Sequence, residues 1–311
     1  MNFKKIKIGS LETQNNIFLA PLAGYTNAVF RKMCYDLGAG LTFTEMVSAK
    51  GLYYGSEKTK ELLAVCEGYG GINACQIFGS DPDIMERVSK SENLAPFDLI
   101  DINMGCPMPK IYNNGEGSAL MGDLPLASKI ISAVKRSGKA VSVKFRIGLT
   151  ENNIISAEFA KMCEDSGADM ICIHGRVRDK IYAGDVNYKA IADAKNAVSI
   201  PVIANGGVFT PSDAEMLIEK TGADGVAIAR GAMYAPWIFA DITGREYDRR
   251  EITFKQLKYT REMMGERFAC VFMRKMIAFY LRGEPNATLF RTQLLSCKST
   301  REIEDILESL F

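Results

Sequence analysis

Short apolar, β-branched runs alternate with longer amphipathic segments along most of the chain. Eight of these runs predict β-strands: Ile17–Ala20, Leu41–Thr44, Asn73–Phe78, Leu99–Asn103, Val141–Arg146, Met170–His174, Pro201–Asn205 and Gly225–Ala229. The segments between them have helical periodicity, for example Asp81–Ser91, Leu126–Ser137, Ile154–Ser166 and Pro211–Thr221. Strands that are apolar throughout and separated by helices are typical of a parallel sheet that is covered on both faces.

Eight strand–helix units favour closure into a (β/α)8 TIM barrel, which takes roughly 250 residues, and the chain has 311. The alternative α/β architecture is a doubly wound open sheet. In that fold a nucleotide site is usually marked by the motif G-x-G-x-x-G after the first strand. Here the first strand is followed by Pro21-Leu22-Ala23-Gly24-Tyr25, and the missing signature favours the barrel.

The strand pattern stops near Gly244, and the rest of the chain has helical periodicity. We predict helices over Ile252–Phe268, Cys270–Arg282 and Ala287–Leu295, and a capping box at 299–302 that opens the last helix. The sequence therefore predicts two domains, a catalytic barrel over residues 1–244 and a small helical domain over residues 245–311.

Charge and composition narrow the class of protein. The net charge is +1, but residues 245–298 carry twelve Lys and Arg against six Asp and Glu. This local excess is a weak sign of nucleic-acid binding, and on charge alone a solvated helical face is the better explanation. No apolar stretch approaches the roughly 20 residues of a membrane span. The segment Met1–Lys5 lacks the apolar core of a signal peptide, so we expect a cytoplasmic location.

The eight cysteines form no C-x-x-C pair and show no zinc-ligand spacing, so no metal site is predicted. We expect most of them to be small buried side chains without disulfides.

Polar residues collect where the predicted strands end, which is where TIM barrels place their chemistry. They are Glu45, Gln76, Asn103, Cys106, Lys144, Arg146, His174, Asn205 and Arg230. The turns after strands 7 and 8, Gly206-Gly207 and Arg230-Gly231, suggest a phosphate site, because small residues let backbone N–H groups approach an anion. Tight turns without a ligand are the alternative.

Lys144 and Arg146 lie on one face of strand 5, and two cations at a barrel mouth need an electron-rich partner. The N1–O2 edge of a flavin would suit the lysine, whereas salt bridges to barrel acids are the alternative. His174, the only histidine, is assigned to flavin contact rather than to a metal. Cys106 lies in a Gly-Cys-Pro turn; its thiol, with an ordinary pKa of about 8.5, can act as a general acid or can simply be buried.

Together these motifs resemble the tRNA-dihydrouridine synthase family, most closely its bacterial B type. The matching segments span nearly the whole chain. One of them is Asp101–Pro107, and its part Asn103-Met104-Gly105-Cys106-Pro107 is the most specific motif. The others are Ala20–Thr26, Glu45-Met46, Gln76–Pro82, Gly117–Leu120, Lys144–Arg146, His174–Arg176, Ile203–Gly207, Pro236–Phe239, Arg274-Lys275 and Tyr280-Leu281.

The resemblance implies FMN, NADPH and tRNA, and the reduction of the C5–C6 double bond of particular D-loop uridines. NADPH would reduce FMN, hydride would pass to uracil C6, and Cys106 would protonate C5 while Lys144 or Arg146 stabilises the enolate. The implied FMN contacts are Pro21, Leu22, Ala23, Gln76, Lys144, His174, Asn205, Gly206, Gly207, Ala229 and Arg230. The implied uracil contacts are Asn103, Lys144, Arg146 and Arg178.

Two residues depart from the family pattern. Leu22 stands where methionine is common, a substitution of similar volume. Pro109 stiffens the loop after Cys106, and this departure leaves undecided which uridine is the target. Two other functions compete: a flavin reductase of a free pyrimidine, like dihydroorotate dehydrogenase, and an RNA-binding module without catalysis. The helical tail argues against the first, and the presence of Cys106, Lys144 and Arg230 argues against the second.

Overall fold

The computed structural model describes residues 3–310. Met1 and Asn2, where the absence of a signal peptide was predicted, and Phe311, at the end of the predicted helical domain, lie outside the described residues. The eight predicted strands form one closed barrel of parallel strands, which confirms the TIM-barrel prediction. The barrel strands are β1 (Ile17–Leu19), β2 (Leu41–Ser48), β3 (Asn73–Phe78), β4 (Leu99–Met104), β5 (Ala140–Arg146), β6 (Met170–His174), β7 (Val202–Asn205) and β8 (Gly225–Ile228).

The barrel closes in chain order, with β8 hydrogen-bonded to β1. In that closing pair Val226 is opposite Ile17, and Ala227 is opposite Phe18. Closure satisfies the backbone groups that an open parallel sheet would leave at its two edges. It also brings the carboxyl ends of all eight strands into one ring.

Fifteen α-helices accompany the strands within the described residues. Eleven of them belong to the barrel region: α1 (Ala28–Asp36), α2 (Ala49–Tyr53), α3 (Glu57–Lys60), α4 (Pro82–Ser89), α5 (Pro109–Tyr112), α6 (Leu124–Lys135), α7 (Ser156–Asp165), α8 (Tyr188–Ala197), α9 (Pro211–Thr221), α10 (Arg230–Tyr234) and α11 (Ile238–Thr243). Four follow at the C-terminal end: α12 (Arg249–Met264), α13 (Glu266–Tyr280), α14 (Ala287–Ser296) and α15 (Thr300–Leu310). Two short antiparallel hairpins, Lys7–Ile8 with Leu11–Glu12 and Gly148–Thr150 with Asn153–Ile154, add to the regular structure. Three 3-10 helices complete it: Glu61–Leu63, Glu92–Leu94 and Gly117–Gly122.

The barrel interior changes from apolar to polar along the strands. Leu99 on β4 and Ala74 on β3 belong to an apolar cluster that fills the N-terminal part of the barrel. Asp101 and Asn103 are the next two inward positions of β4, and Gln76 is the next on β3. Because side chains alternate along a strand, the polar ones face the C-terminal mouth from inside the barrel.

Two of the predicted elements differ most from the structure. The helix predicted over Ile252–Phe268 is two helices, because Gly265 between them has φ 84° and ψ 159°, which no helix accommodates. The second strand was predicted to end at Thr44, but β2 continues to Ser48 through a register shift between Phe43 and Met46. Such a bulge re-aims the side chains around it, and Glu45 therefore lies within the strand.

Two of the four C-terminal helices pack on helices of the barrel region, α12 against α1 and α13 against α10, whereas α14 packs on α13, and α15 packs on α12 and α13. Ser299 caps the last helix, because its Oγ accepts a hydrogen bond from the N–H of Glu302 at 3.3 Å. The division into domains at residue 244 remains a prediction. None of the helices in the described part of the chain is both long and apolar enough to span a membrane.

The closing strand pair gives a stability prediction. A Cβ on Gly225 would lie 2.4 Å from the carbonyl oxygen of Asn16, a backbone atom that cannot swing aside. We expect Gly225→Ala to lower the free energy of unfolding by about 2 kcal/mol or more, a cost typical of overpacking. Gly70→Ala is the control, because nothing lies within 4 Å of its added Cβ. Urea unfolding measures both, and equal stability of the two variants would contradict the proposed strain.

Candidate active site

A cavity of about 430 Å³ opens at the C-terminal end of the barrel strands. Fourteen of the fifteen predicted site residues line it: Pro21, Leu22, Ala23, Gln76, Asn103, Cys106, Lys144, Arg146, His174, Asn205, Gly206, Gly207, Ala229 and Arg230. They come from β1, β3, β4, β5, β6, β7 and β8 or the turns that follow these strands. Barrel closure is therefore what brings them together.

Arg178 is the predicted residue that does not line the cavity. Its guanidinium carbon lies 3.9 Å from the ring centroid of Tyr112, and its Nη1 pairs with Asp179 at 2.8 Å. The stacking joins α5, which follows Cys106, to the loop after β6. The uracil contact of Arg178 stays a prediction.

The cavity is strongly cationic. Lys144, Arg146 and Arg230 line it, and no Asp or Glu stands among the described residues that form its wall. Burial lowers the pKa of Lys144, and it lowers the pKa of Arg146 to about 10. Burial and the surrounding cations hold the pKa of His174 well below its usual range, so this imidazole is neutral at physiological pH. Such a cavity suits an anionic ligand.

Lys144 on β5 is held by an amide on β7, two strands away around the barrel. Its Nζ donates to Oδ1 of Asn205 at 3.1 Å, and Nδ2 of Asn205 donates to the carbonyl oxygen of Ala227 at 2.7 Å. The second bond fixes which way the Asn205 amide faces, so the oxygen is presented to the lysine. The ammonium group thereby points into the cavity in a defined position.

Arg146 braces two segments of the cavity wall. Its Nε donates to the carbonyl oxygen of Gly105 at 2.8 Å, and its Nη1 donates to those of Ile181 at 2.8 Å and Val177 at 3.1 Å. The Ile181 backbone has φ 51°, in the left-handed region that a β-branched residue rarely adopts. Arg146 thus joins the Cys106 turn to the strained loop after β6.

In the turn after β7 two glycines, which have no side chains, expose their backbone to the cavity. Gly206 and Gly207 have φ of 128° and 76°. A Cβ on Gly206 would lie 3.1 Å from Cδ2 of His174, so even a methyl group would crowd the imidazole ring. Arg230, at the start of α10, adds a guanidinium that lies 4.9 Å from the Tyr182 ring and 5.6 Å from the Phe209 ring. The predicted phosphate residues therefore share one wall.

Cys106 lies on a turn that is anchored on both sides. Oδ1 of Asn103 accepts the N–H of Cys106 at 2.9 Å and that of Gly105 at 3.2 Å. The hydroxyl of Ser118 donates to the carbonyl oxygen of Cys106 at 2.8 Å. Burial raises the pKa of the Cys106 thiol, which Arg146 and Lys144 offset only in part, so the thiol is protonated at neutral pH.

A buried carboxyl group, Asp101, lies below the cavity floor. It accepts hydrogen bonds from Nε2 of Gln76 and from the hydroxyl of Ser142, both at 2.6 Å. Burial raises its pKa to about 6 despite these bonds and the positive charge of Lys144. Asp101 therefore titrates in a range where an ordinary aspartate is fully ionised.

The C-terminal helices reach the cavity rim through Lys275 on α13. Its Nζ donates to the carbonyl oxygen of Gly24 at 3.2 Å and lies 3.9 Å from the ring centroid of Tyr25. The N–H of Gly24 is held by a carboxylate oxygen of Glu45. Tyr25 lines the cavity, so a helical side chain and a β2 side chain both shape its rim.

Comparison with known proteins agrees with this geometry. The sequence model of the family described as dihydrouridine synthase (Dus) matches residues 18–311. The chain belongs to this family. It is 35% identical over 307 residues to tRNA-dihydrouridine synthase B of Pseudomonas aeruginosa, covering 95% of this chain and 92% of that one. It is 36% identical to tRNA-dihydrouridine synthase B of Vibrio parahaemolyticus, covering 92% of each chain.

Solved structures match the fold at low sequence identity. Morphinone reductase superposes with a TM-score of 0.58 at 14% identity, covering 79% of this chain and 90% of that chain. A variant of NCR from Zymomonas mobilis superposes with a TM-score of 0.55 at 17% identity, covering 75% and 88%. These similarities support the barrel fold.

Sequence reasoning missed several wall residues of this family member. Tyr25, Met46, Met108, Tyr182, Phe209 and Met233 also line the cavity. Most are apolar or aromatic residues in turns after strands, and their side chains give no signal that distinguishes them from core residues. Asp101 was missed too, although its position two residues before Asn103 places it on the same inward face. No group of three or more His, Cys, Asp or Glu that could hold a metal occurs within residues 3–310.

The pKa of Asp101 predicts a pH dependence of stability. Its folded pKa of about 6 exceeds the ordinary value for an unfolded chain, so the folded state binds the proton more tightly. The stability contributed by this group is present below about pH 4 and is lost as pH rises through about 6. We expect Asp101→Asn to flatten this part of the profile of unfolding temperature against pH.

The comparison isolates one group, because His174 and the other titrating residues are common to both proteins. Parallel profiles for the original protein and Asp101→Asn between pH 4 and pH 8 would show that burial does not raise this pKa.

Proposed function

We propose that the protein reduces particular uridines of the tRNA D-loop to 5,6-dihydrouridine, with FMN as cofactor and NADPH as the source of electrons. The observation that carries the proposal is the cavity in which Cys106, Lys144 and Arg230 meet in a chain of the dihydrouridine synthase family. Relatives of similar length that are named tRNA-dihydrouridine synthase B support tRNA as the substrate. A cytoplasmic location follows from that substrate.

The residues present fit FMN. Gly206, Gly207 and Arg230 would hold the phosphate, since open backbone and a guanidinium are the groups that bind such an anion. Gln76, Lys144, His174 and Asn205 would contact the polar part of the ring, and Pro21, Leu22, Ala23 and Ala229 would pack against it. When bound, FMN supplies the hydride that the reduction of a carbon–carbon double bond requires.

The chain itself supplies the proton and the electrostatic stabilisation. Cys106 would donate the proton of its Sγ to uracil C5, and the resulting thiolate would regain a proton from solvent. Its raised pKa keeps the thiol protonated before the reaction. Lys144, with its ammonium aimed into the cavity, would stabilise the negative charge that develops on the uracil oxygen. Well-placed general acids contribute roughly 10²–10⁴-fold.

Arg146 and Asn103 would act mainly by holding this arrangement. Three hydrogen bonds of Arg146 go to backbone carbonyl groups, so the geometry favours Lys144 over Arg146 as the group that stabilises the enolate. Asn103 donates to Gln76 and accepts from the Cys106 turn. Arg178 would have to leave the Tyr112 ring to reach the uracil.

An aromatic belt beside the cavity supports an RNA substrate. We define the mouth belt as Tyr182, Phe209, Tyr234 and Phe279, together with Arg230 and Arg282. Phe209 lies 6.2 Å from Tyr234 with nearly parallel rings, and Tyr234 lies 5.4 Å from Phe279. The Arg282 guanidinium is 4.9 Å from the Tyr234 ring. Aromatic faces interleaved with arginines are typical of surfaces that bind unstacked nucleotides.

The belt also spans the barrel and the C-terminal helices. Phe279 and Arg282 come from the end of α13 and the turn after it, whereas the other members come from the barrel. A uridine within folded tRNA must be extruded from its stack to reach a cavity inside the barrel mouth. The belt would receive the nucleotides beside it, which a free pyrimidine does not have. This surface therefore favours tRNA over the free-pyrimidine alternative.

The decisive test is nucleoside mass spectrometry after unmodified tRNA transcript has been incubated with the protein, FMN and NADPH. We expect dihydrouridine, and fragment mapping then gives its position. In Cys106→Ala we expect a loss of about 100-fold or more in product, as for removal of a general acid, while FMN binding and NADPH oxidation by oxygen persist.

Cys66→Ala is the matched control, because Cys66 is also a half-buried free thiol but does not line the cavity. Unchanged product from Cys106→Ala would remove Cys106 from the mechanism. Product from a free pyrimidine but none from tRNA would replace the proposed substrate.

The mouth belt makes a separate prediction for substrate affinity. We expect Phe209→Ala to raise KM for tRNA by roughly tenfold, the loss of one stacked base, with little change in flavin reduction by NADPH. Phe3→Ala is the control, because Phe3 is 42% exposed and Phe209 is 41% exposed. Phe3 adjoins Lys4, which pairs with Asp224 at the start of β8, so it lies at the opposite end of the barrel. Equal KM values for the two variants would show that bases do not stack on the belt.

A further inference from the structure

A continuous line of side chains crosses the barrel beneath the cavity, from β5 through β4 and β3 to the Cys106 turn. Ser142 donates to Oδ1 of Asp101, and Gln76 donates through Nε2 to Oδ2 of Asp101. Oε1 of Gln76 accepts from Nδ2 of Asn103 at 2.8 Å, and Oδ1 of Asn103 accepts the Cys106 N–H at 2.9 Å. Gln76 and Ser142 are the register neighbours of Asp101 on the two flanking strands.

The direction of each bond follows from the carboxylate. Side-chain amides can face either way, because their oxygen and nitrogen ends have nearly the same shape. An ionised carboxylate only accepts hydrogen bonds. Gln76 must therefore turn its NH₂ group to Asp101, which leaves its oxygen for Asn103. Asn103 must then turn its own NH₂ group to Gln76, which leaves its oxygen for the N–H groups of Gly105 and Cys106.

We propose that Asp101 is a positioning residue for proton transfer, which fixes the orientation of the Gln76 and Asn103 amides and so places the Cys106 thiol. The inference rests on the proposed function for its consequence, because it assigns Cys106 the proton that uracil receives. Asp101 itself does not line the cavity and acts only through its partners.

The complete burial of Asp101 indicates that its carboxylate has a specific role. Asp101 is 1% exposed, and Ser142 and Gln76 are equally inaccessible. An apolar residue of similar volume would avoid the cost of a buried carboxylate. It would also leave Gln76 free to turn over, and a reversed Asn103 would present its NH₂ group to the N–H groups of the Cys106 turn. The carboxylate removes that alternative.

The test compares two substitutions of similar size in the FMN-loaded enzyme at about pH 8, above the Asp101 pKa of about 6. Asp101→Asn keeps an acceptor for Gln76, because the Ser142 hydroxyl can accept from the new NH₂ group. Asp101→Leu has no acceptor. For Asp101→Leu we expect reoxidation of the reduced flavin by tRNA to slow by roughly tenfold or more, as for a displaced catalytic group. For Asp101→Asn we expect a change of no more than about twofold.

Two readouts separate positioning from general damage. Reduction of the flavin by NADPH does not need the proton donor, and we expect it to remain within about twofold in both variants. Alkylation of Cys106 by iodoacetamide, followed by peptide mass spectrometry, reports on the turn directly. We expect it to accelerate by about threefold or more in Asp101→Leu, since a released thiol is less buried. Cys66 in the same chain is the internal standard, and Ile102→Val controls for lost packing on β4.

A milder set of variants keeps the test available if Asp101→Leu does not fold. Ser142→Ala alone leaves an acceptor-only carboxylate, and Asp101→Asn alone leaves the Ser142 hydroxyl as acceptor, so each should behave as the original enzyme. The double variant, Ser142→Ala with Asp101→Asn, has neither the carboxylate nor the Ser142 hydroxyl. The side-chain amides of Gln76 and Asn103 can then reverse. We expect a non-additive loss of roughly fivefold or more in tRNA-dependent reoxidation, beyond the single variants.

Three results would overturn the proposed role of Asp101. Original rates of Cys106 alkylation and of flavin reoxidation in Asp101→Leu would overturn the proposal, as would additive effects in the Ser142 cycle. Equal losses in Asp101→Asn and Asp101→Leu would also overturn it, because charge rather than bond direction would then matter. The alkylation result requires no turnover. A changed alkylation rate without dihydrouridine formation by the original enzyme would therefore reject the proposed function while confirming that Asp101 places Cys106.

Discussion

The arrangement of the site depends on the mutual repulsion of cations inside the barrel mouth. Lys144, Arg146 and Arg230 converge there beside the neutral His174, without a carboxylate in the surrounding wall of the described structure. Three features limit this repulsion. Burial and the neighbouring cations keep His174 neutral, and backbone carbonyl groups accept hydrogen bonds from the Arg146 guanidinium. The Arg230 guanidinium lies against aromatic rings. What remains uncompensated is available to a ligand with a phosphate and an electron-rich ring.

Much of this site could be predicted because barrel geometry is regular. Once eight strands are recognised, alternation decides which side chains face inward, and the ends of the strands must meet. That is why Lys144, Asn205 and Cys106 could be assigned to one cavity although their positions in the chain are far apart. The same regularity would have marked Asp101, which was overlooked because it precedes the strand end by two residues.

What could not be predicted depends on irregular backbone and on contacts between distant segments. Glu45 lies within β2 because a register shift lengthens the strand, and no residue pattern marks that shift. The break at Gly265 was missed because a single glycine is tolerated inside many helices. The stacking of Arg178 on Tyr112, a residue of a separate segment, could not be predicted from the sequence either. The mouth belt assembles from the loops after β6 and β7, from α10 and from the end of α13, so only the folded chain reveals it.

The burial that keeps Cys106 protonated has a second consequence, which concerns durability. Peroxides and electrophiles attack thiolates rather than thiols. A cysteine that holds its proton firmly, on a turn anchored by Asn103 and Ser118, is therefore a poor target for oxidation. A flavoenzyme exposed to air generates such oxidants beside its own active site. The environment that would suit Cys106 as a proton donor would also protect its thiol from oxidation over many turnovers.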